Sequence, residues 1–175
     1  MLFTIDPLHS LVEFRVQHLK ISIVKGRFSE MHGTIQLDAN TPEKTTVQAA
    51  VKTESIYTGA SQRDAHLRSA DFFDVAKYPT ISFESTQMRL VDQTRCYMEG
   101  LFSMHGVTRP ITFQVTYTGT NRDPLTNAWR IGISATTKID RRDFGMGFNR
   151  LITDGIAAIG NETIIEIHIE AIQML

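Results

Sequence analysis

A short stretch near the middle of the chain carries four side chains that can bind an anion or transfer a proton: Arg63, Asp64, His66 and Arg68. An arginine can form paired hydrogen bonds to a phosphate or donate to a carbonyl oxygen, and an aspartate beside it can orient the guanidinium. A second interpretation stays open. Asp64 and Arg68 are spaced like neighbours on one helix face, where such a pair is usually solvated and contributes little.

A glycine-rich stretch at residues 144–150 (FGMGFNR) is a second candidate for contact with a ligand. Its glycines permit tight turns, so that Phe144, Met146 and Phe148 can present apolar surface and Arg150 can contact a polar group. An ordinary turn is the alternative. The stretch is not a dinucleotide-binding fingerprint, because the third glycine is missing and no strand-to-helix pattern surrounds it.

Recognisable catalytic motifs are missing from the sequence. It contains no nucleophile elbow, zinc-protease motif or phosphate loop, and its histidines show no metal-ligand spacing. The single cysteine, Cys96, can form neither an internal disulfide nor a thiolate zinc cage. His66 has charged neighbours, yet Asp64, two residues away, would not share its helix face. We therefore predict neither a metal site nor a catalytic residue.

Alternation of apolar and polar residues predicts that most of the chain is β-strand. From Trp129 onward, every second residue lies on a mainly apolar face of the strand, and the residues between them lie on a more polar face. Similar alternation predicts about eight strands joined mostly by short turns. They include residues 12–18, a long strand at 24–38 that Gly26 and Gly33 are expected to bend, and a last strand at 163–173. Which face points inward stays open, since a slip of one residue exchanges the two faces.

One helix is predicted, over residues 61–74. Ser61 and Asp64 are spaced as in a capping box, and Leu67 begins an apolar stripe. The predicted fold is all-β: an extended eight-stranded antiparallel barrel with one short inserted helix, in a single domain over residues 1–175. A barrel of eight strands is either filled by its own side chains or holds one small ligand.

The composition is that of an ordinary globular protein: of 175 residues, 42% are hydrophobic and 21% are charged, and the formal net charge is -1. This balance gives no reason to expect nucleic acid as a partner, and no apolar run is long enough for stable insertion in a membrane as a helix. The first residues, MLFTIDP, lack the pattern of a secretory leader. They predict a cytoplasmic protein, or a periplasmic one if a leader precedes this sequence.

Several motifs together resemble the YceI-like family of lipocalin-like, polyisoprenoid-binding proteins. They are DPLHS (6–10), VEF (12–14), HL (18–19), SIVKGRF (22–28), SIYTG (55–59), RDAHLRSADFFD (63–74), KYP (77–79), GVTRP (106–110) and DFGM (143–146). The resemblance runs nearly from end to end. It departs at Lys20, where relatives usually have glycine, and at Phe102 and Ser103, where Leu-Thr is more common.

The resemblance implies a barrel with a deep apolar channel, in which a long isoprenoid chain lies with its polar head near the mouth. The ligand would be a polyprenyl phosphate or an isoprenoid quinone of the ubiquinone or menaquinone type. No other cofactor is required, and the protein would be a homodimer. Burial would stabilise such a complex by about 0.8 kcal/mol for each methylene-sized group, before ordering and association costs.

Apolar and aromatic side chains on the strands and in the glycine-rich stretch are the candidates for contact with the tail. They are Phe14, Val16, His18, Ile35, Leu37, Val51, Phe83, Phe102, Phe113, Trp129, Ile131, Ile133, Phe144, Met146, Phe148 and Ile167. The candidates for contact with the head group are Arg63, Asp64, His66, Arg68 and Arg150. Two alternatives to a carrier remain: a lipid-modifying enzyme that uses His66 and Asp64, and a filled barrel that serves as an interaction module.

Overall fold

The structure is a computed structural model that describes residues 1–150 and 157–174. Nearly all of its regular structure is strand. The strands are β1 (Leu2–Ile5), β2 (Leu11–His18), β3 (Ser22–Phe28), β4 (Met31–Gln36), β5 (Thr46–Lys52), β6 (Ile56–Tyr57), β7 (Thr80–Leu90), β8 (Arg95–Met104), β9 (Val107–Arg122), β10 (Trp129–Asp140) and β11 (Ile159–Gln173). The α-helix of the described residues is α1 (Ser61–Arg68), and short 3₁₀ turns cover Pro42–Lys44, Thr53–Ser55 and Arg141–Phe144.

The strands close into one antiparallel barrel. β1 and β2 lie end to end along one edge of β11, β4 and β3 pair with them, and β5 and β6 follow in the same way. These six short strands therefore act as three long, interrupted strands, and β7 to β11 supply the other five. The predicted eight-stranded barrel is confirmed, although each of its first three strands is broken.

The long second strand is interrupted at a different position from the one that its glycines predicted. The interruption falls at Ser29 and Glu30, between β3 and β4, rather than at Gly26 or Gly33. Gly26 has a packing role instead, since a side-chain carbon at this position would overlap the ring of Phe14 on β2. The glycine therefore makes room for an aromatic ring inside the barrel.

The helix α1 is shorter than predicted and is held differently. It ends at Arg68, and turns follow it. The predicted capping box is wrong, because Ser61 lies inside the helix behind Ala60 and makes no capping hydrogen bond. Asp64 instead reaches back and accepts hydrogen bonds from the backbone N–H and the hydroxyl of Thr58, at 2.8 and 2.5 Å. No helical segment in the described ranges has the length and apolar character needed to cross a bilayer.

The two ends of the barrel are built differently. The helix end consists of α1, the β2–β3 turn (19–21), the β8–β9 turn (105–106) and residues 141–150. The turn end consists of the start of β1 and the connections at 37–45, 91–94 and 123–128. A large apolar cluster that includes Phe102 lies toward the helix end, and a smaller one that includes Phe3 lies toward the turn end.

Candidate ligand-binding cavity

The interior of the barrel is hollow. It encloses a cavity of about 1010 Å³, and residues of both ends line it, from Leu37 at the turn end to Phe72 at the helix end. The lining is mostly apolar. Sites for small molecules usually measure about 300–1,000 Å³, so this space suits a long or bulky ligand. The hypothesis of a barrel filled by its own side chains is wrong.

The predicted tail contacts lie on the cavity wall, with the exception of Phe144. The residues on the wall are Phe14, Val16, His18, Ile35, Leu37, Val51, Phe83, Phe102, Phe113, Trp129, Ile131, Ile133, Met146, Phe148 and Ile167. Phe14, Phe83 and Ile167 stay half-buried although they face the barrel interior, because the hollow leaves part of their surface uncovered. Their role in binding stays a prediction.

Aromatic contacts brace this wall. Phe83 on β7 and Phe113 on β9 meet edge to face across β8, with ring centroids 5.2 Å apart. Phe14 packs against Phe28 with centroids 5.7 Å apart. Such pairs contribute about 0.5–1.5 kcal/mol each beyond the area that they bury. The shape of the wall is therefore supported by contacts within the protein.

Phe144 lies behind the wall rather than on it, which corrects its prediction as a tail contact. The 3₁₀ turn that follows β10 directs its ring into the core, where it is only 1% exposed. The ring packs edge to face against Phe102, with centroids 5.4 Å apart. Alternation along a strand could not predict this direction, because the residue has already left the strand.

The two stretches that the sequence singled out meet at the helix end. His66 of α1 contacts Phe148 of the 144–150 stretch edge to face, with ring centroids 5.1 Å apart. Phe72 packs against both rings, at 5.1 and 5.2 Å. Phe148 is distant in sequence from His66 and Phe72, and together the three residues form one rim of the cavity.

The charged side chains on the cavity wall differ between the two ends. Arg63 and Arg150 line it at the helix end, where no carboxylate of the described residues does so. Arg63 keeps a fixed direction, because its guanidinium donates to the hydroxyl and the carbonyl oxygen of Thr58, at 2.7 and 2.8 Å. At the turn end the wall carries Asp92 and Arg95, which pair with each other at 2.6 Å.

Asp64 and Arg68 do not line the cavity, so the structure does not place them at a head-group site. Asp64 is 4% exposed and bonds to Thr58, as described above. Arg68 donates to the carbonyl oxygens of Glu54 and Ile56, at 2.9 and 2.8 Å. The surface pair between Asp64 and Arg68 is therefore wrong as well, since both side chains tie α1 to the segment that precedes it.

The His66 and Asp64 pair of the enzyme hypothesis is also not assembled. The Nε2 atom of His66 lies 2.8 Å from a carboxylate oxygen of Asp71, five residues further along the chain. Asp64 is turned toward Thr58 and away from the cavity. His66 is therefore paired with Asp71 rather than with Asp64.

Arg141 is a wall residue that sequence reasoning missed. It is 5% exposed, and its guanidinium donates to the carbonyl oxygens of Met146, Phe148 and Gly160 at 2.7, 2.8 and 3.0 Å, and to the side-chain oxygen of Asn161 at 3.3 Å. Among the described residues it forms no salt bridge with a carboxylate. Burial lowers the pKa of Arg141, because desolvation disfavours the charged form. Charged residues after a strand are usually exposed, so nothing in the sequence singles it out.

Comparison with known proteins identifies the family. The family model described as YceI-like domain matches residues 3–171. The chain belongs to the YceI-like family. It is 36% identical to a UPF0312 protein of Pseudomonas syringae pv. tomato over 138 residues, which are 79% of this chain and 71% of that protein. A UPF0312 protein of Azotobacter vinelandii is 37% identical over the same shares of the two chains.

Solved structures of three other proteins have the same fold. A YceI protein from Campylobacter jejuni matches with a TM-score of 0.77 at 28% identity, over 91% of this chain and 90% of that chain. BcnA of Burkholderia cenocepacia gives 0.83 at 17% identity, over 95% and 98%. A polyisoprenoid binding domain from Saccharophagus degradans, implicated in plant cell wall breakdown, gives 0.72 at 16% identity, over 98% of both chains.

Proposed function

We propose that the protein binds and carries an isoprenoid lipid in the barrel cavity and leaves the lipid chemically unchanged. The observation that carries this proposal is the apolar hollow of about 1010 Å³ that residues of both barrel ends line. A hydrocarbon tail has no hydrogen-bonding groups, so shape and removal from water are the means to hold it. The likeness to the Saccharophagus degradans polyisoprenoid binding domain supports an isoprenoid tail over other apolar ligands.

The head group of the lipid is proposed to lie at the helix end. Arg63 and Arg150 line the cavity there, together with His66. The phosphate of a polyprenyl phosphate or the carbonyl of an isoprenoid quinone would accept hydrogen bonds from these cationic side chains. The tail would then extend toward the turn end. Homodimer formation stays a prediction from the sequence.

Organic extraction of the purified protein tests the proposal directly. We expect mass spectrometry of the extract to show an isoprenoid lipid. The lipid-free protein should then take up polyprenyl phosphate or ubiquinone from a detergent dispersion. A protein that neither retains nor takes up any isoprenoid lipid would overturn the proposal.

A pair of adjacent positions on β10 gives a matched test of the cavity. Ala135 lines the hollow, whereas Thr136 lies on the outer face opposite Glu166 of β11. Ala135→Trp should lower lipid affinity by about tenfold or more, because the indole occupies the space of the tail. Its free energy of unfolding should change little, since the hollow has room for the ring. Thr136→Trp should leave uptake unchanged, and equal uptake by the two variants would contradict a ligand in the barrel.

A further inference from the structure

We infer that the helix end of the barrel docks on the surface of an anionic lipid bilayer through the hairpin of β2 and β3. Lipid would then pass between the bilayer and the cavity; this transfer rests on the proposed function, whereas the docking has its own evidence. The evidence consists of an exposed apolar tip, cations next to it, and a cavity wall that begins in the same hairpin.

The tip of this hairpin presents large apolar side chains to solvent. Ile21 is 84% exposed and Ile23 is 62% exposed. Side chains alternate along a strand, and Val24 lines the cavity, so that Ile23 belongs to the outer face of the barrel. Neighbouring apolar side chains exposed in this way mark an interaction surface more often than a single exposed leucine does.

Cationic side chains lie within the apolar tip and behind it on the same hairpin. Lys20 in the turn, Lys25 on β3 and Arg27 further along β3 are all exposed. Residues 18–29 contain no acid, and none of these three cations forms a salt bridge within the part of the chain that the structure describes. Glu13, opposite Arg27 on β2, is an acid further from the tip. This charge complements an anionic surface.

The order of these residues fits a bilayer interface. Ile23, Lys25 and Arg27 are every second residue of β3 and share its outer face, so Lys25 lies about 7 Å behind Ile23. The guanidinium of Arg27 lies over the ring of Tyr57, 5.2 Å from its centroid. An apolar tip that enters the boundary of the acyl chains by about 5–10 Å would leave Lys25 at the level of the lipid phosphates. Arg27 and Tyr57 would lie further out, about 14 Å from Ile23 along the strand.

The turn at the tip is tight and keeps a lysine in an unusual backbone conformation. Leu19 and Lys20 have φ values of 51° and 58°, in the left-handed region that glycine adopts more readily. The N–H of Ile21 donates to the carbonyl oxygen of His18 at 3.1 Å and closes the turn. His18 itself lines the cavity, so the docking tip adjoins its mouth.

The turn end also exposes apolar residues, but carboxylates stand beside them. Leu125 is 94% exposed near Asp123, and Val91 is 48% exposed next to Asp92. Backbone hydrogen bonds lower the pKa of both aspartates, which favours their charged form. Each of these carboxylates is paired with an arginine, Asp92 with Arg95 and Asp123 with Arg130. The three hairpin cations form no salt bridge among the described residues, so the hairpin carries the positive charge that an anionic bilayer would attract.

Flotation of the protein with vesicles tests the docking. We expect binding to vesicles of phosphatidylcholine mixed with phosphatidylglycerol, much weaker binding to pure phosphatidylcholine, and release as salt is raised. Ile21→Ser/Ile23→Ser and Lys20→Gly/Lys25→Gln should each weaken binding to the anionic vesicles by about tenfold or more. Lys20→Gly also relieves the left-handed conformation, so this variant should fold well.

Two other exposed leucines supply the control. Leu8→Ser/Leu125→Ser removes side chains that are 87% and 94% exposed outside the hairpin, and its vesicle binding should equal that of the wild type. Uptake of ubiquinone from detergent should be unchanged in all of these variants, which separates docking from carriage. Absence of wild-type binding to the anionic vesicles, or equal binding by the tip variant and the wild type, would overturn the inference.

Discussion

Two arginines, one toward each end of the barrel, are held in opposite ways. Arg130, toward the turn end, forms salt bridges with Asp6, Asp123 and Glu170, at 2.8, 2.7 and 2.5 Å. Arg141, at the helix end, bonds to neutral oxygens of backbone and amide groups. Arg130 lies outside the cavity wall and Arg141 lies on it. The comparison shows that one end uses charge compensation to join strands, whereas the other keeps a buried cation beside the hollow.

The Arg130 network joins parts of the chain that are far apart in sequence. Asp6 lies in the bend between β1 and β2, and Glu170 lies on β11. Asp6, His9 and Glu170 hold their ligand-type atoms within 4.8 Å of one another, as metal ligands would. Arg130, however, already donates hydrogen bonds to the carboxylates of Asp6 and Glu170, so this cluster is a salt-bridge network that joins the strands.

Arg141 instead shapes the mouth. Its bonds to the carbonyl oxygens of Met146 and Phe148 hold the 144–150 stretch against β11, which contributes the acceptor of Gly160. Met146 and Phe148 then form part of the cavity wall. Loss of Arg141 should therefore affect binding, whereas loss of Arg130 should affect stability alone.

The largest expected effect on stability is that of Arg130→Ala. Removal of the shared cation leaves three carboxylates close together, one of them buried, and should lower the free energy of unfolding by about 3 kcal/mol. Urea titration measures this loss. Lipid uptake by the folded variant should match that of the wild type. A loss of uptake without a loss of stability would contradict the proposal that Arg130 affects stability alone.

Arg141→Met should have the next largest effect. It leaves several carbonyl oxygens without donors and should destabilise the protein by about 2 kcal/mol. Its affinity for lipid should also fall by about tenfold or more, because the wall residues of the 144–150 stretch lose their anchor. Arg141→Lys keeps the positive charge, but a lysine ammonium lacks the planar guanidinium that donates to four acceptors. This variant should therefore recover only part of the lipid binding. Full binding by Arg141→Met would contradict the shaping role.

Acid should weaken the turn end through Asp6. Burial alone would raise the pKa of Asp6, but hydrogen bonds from Arg130, His9 and the backbone N–H of Leu8 outweigh it and lower the pKa from 3.8 to about 2. A carboxyl whose folded-state pKa is depressed stabilises the fold above its unfolded pKa, and that contribution disappears as the pH falls toward 2. Thermal unfolding between pH 5 and pH 2, as rough limits, should show a flatter slope for Asp6→Asn than for the wild type. Identical slopes would exclude Asp6 as the cause.

Arg142→Ala, next to Arg141, should have the smallest effect. Arg142 pairs with Asp140 in its own turn, and its side chain is 60% exposed. An exposed pair of this kind contributes about 0.5 kcal/mol, and its removal should leave lipid uptake unchanged. Urea titration and ubiquinone uptake should be measured for Arg142→Ala and Arg141→Met side by side. Equal losses in the two variants would show that charge at this turn, rather than burial of Arg141, controls stability and lipid binding.

Alternation and the family motifs together were enough to predict the barrel and to name most of the residues on its wall. Alternation along β10 placed Ile131 and Ile133 on one face, and the structure turns that face inward. The predictions for Phe144, from the glycine-rich stretch, and for Asp64, from the helix pattern, failed; these residues lie in a 3₁₀ turn and in a short helix. In those elements the direction of a side chain depends on how the whole segment is anchored, here through Thr58 and Arg141.

The sequence by itself determined the strand periodicity, the family motifs and the supply of apolar side chains, since all of these are properties of residues close together along the chain. The tertiary structure decided which face became the inside, that the inside stayed hollow, and that His66 met Phe148. It also decided that Arg141 was buried and Arg130 was paired. Closure of the barrel brings together residues that are far apart in sequence, and contacts of that kind have no local signature.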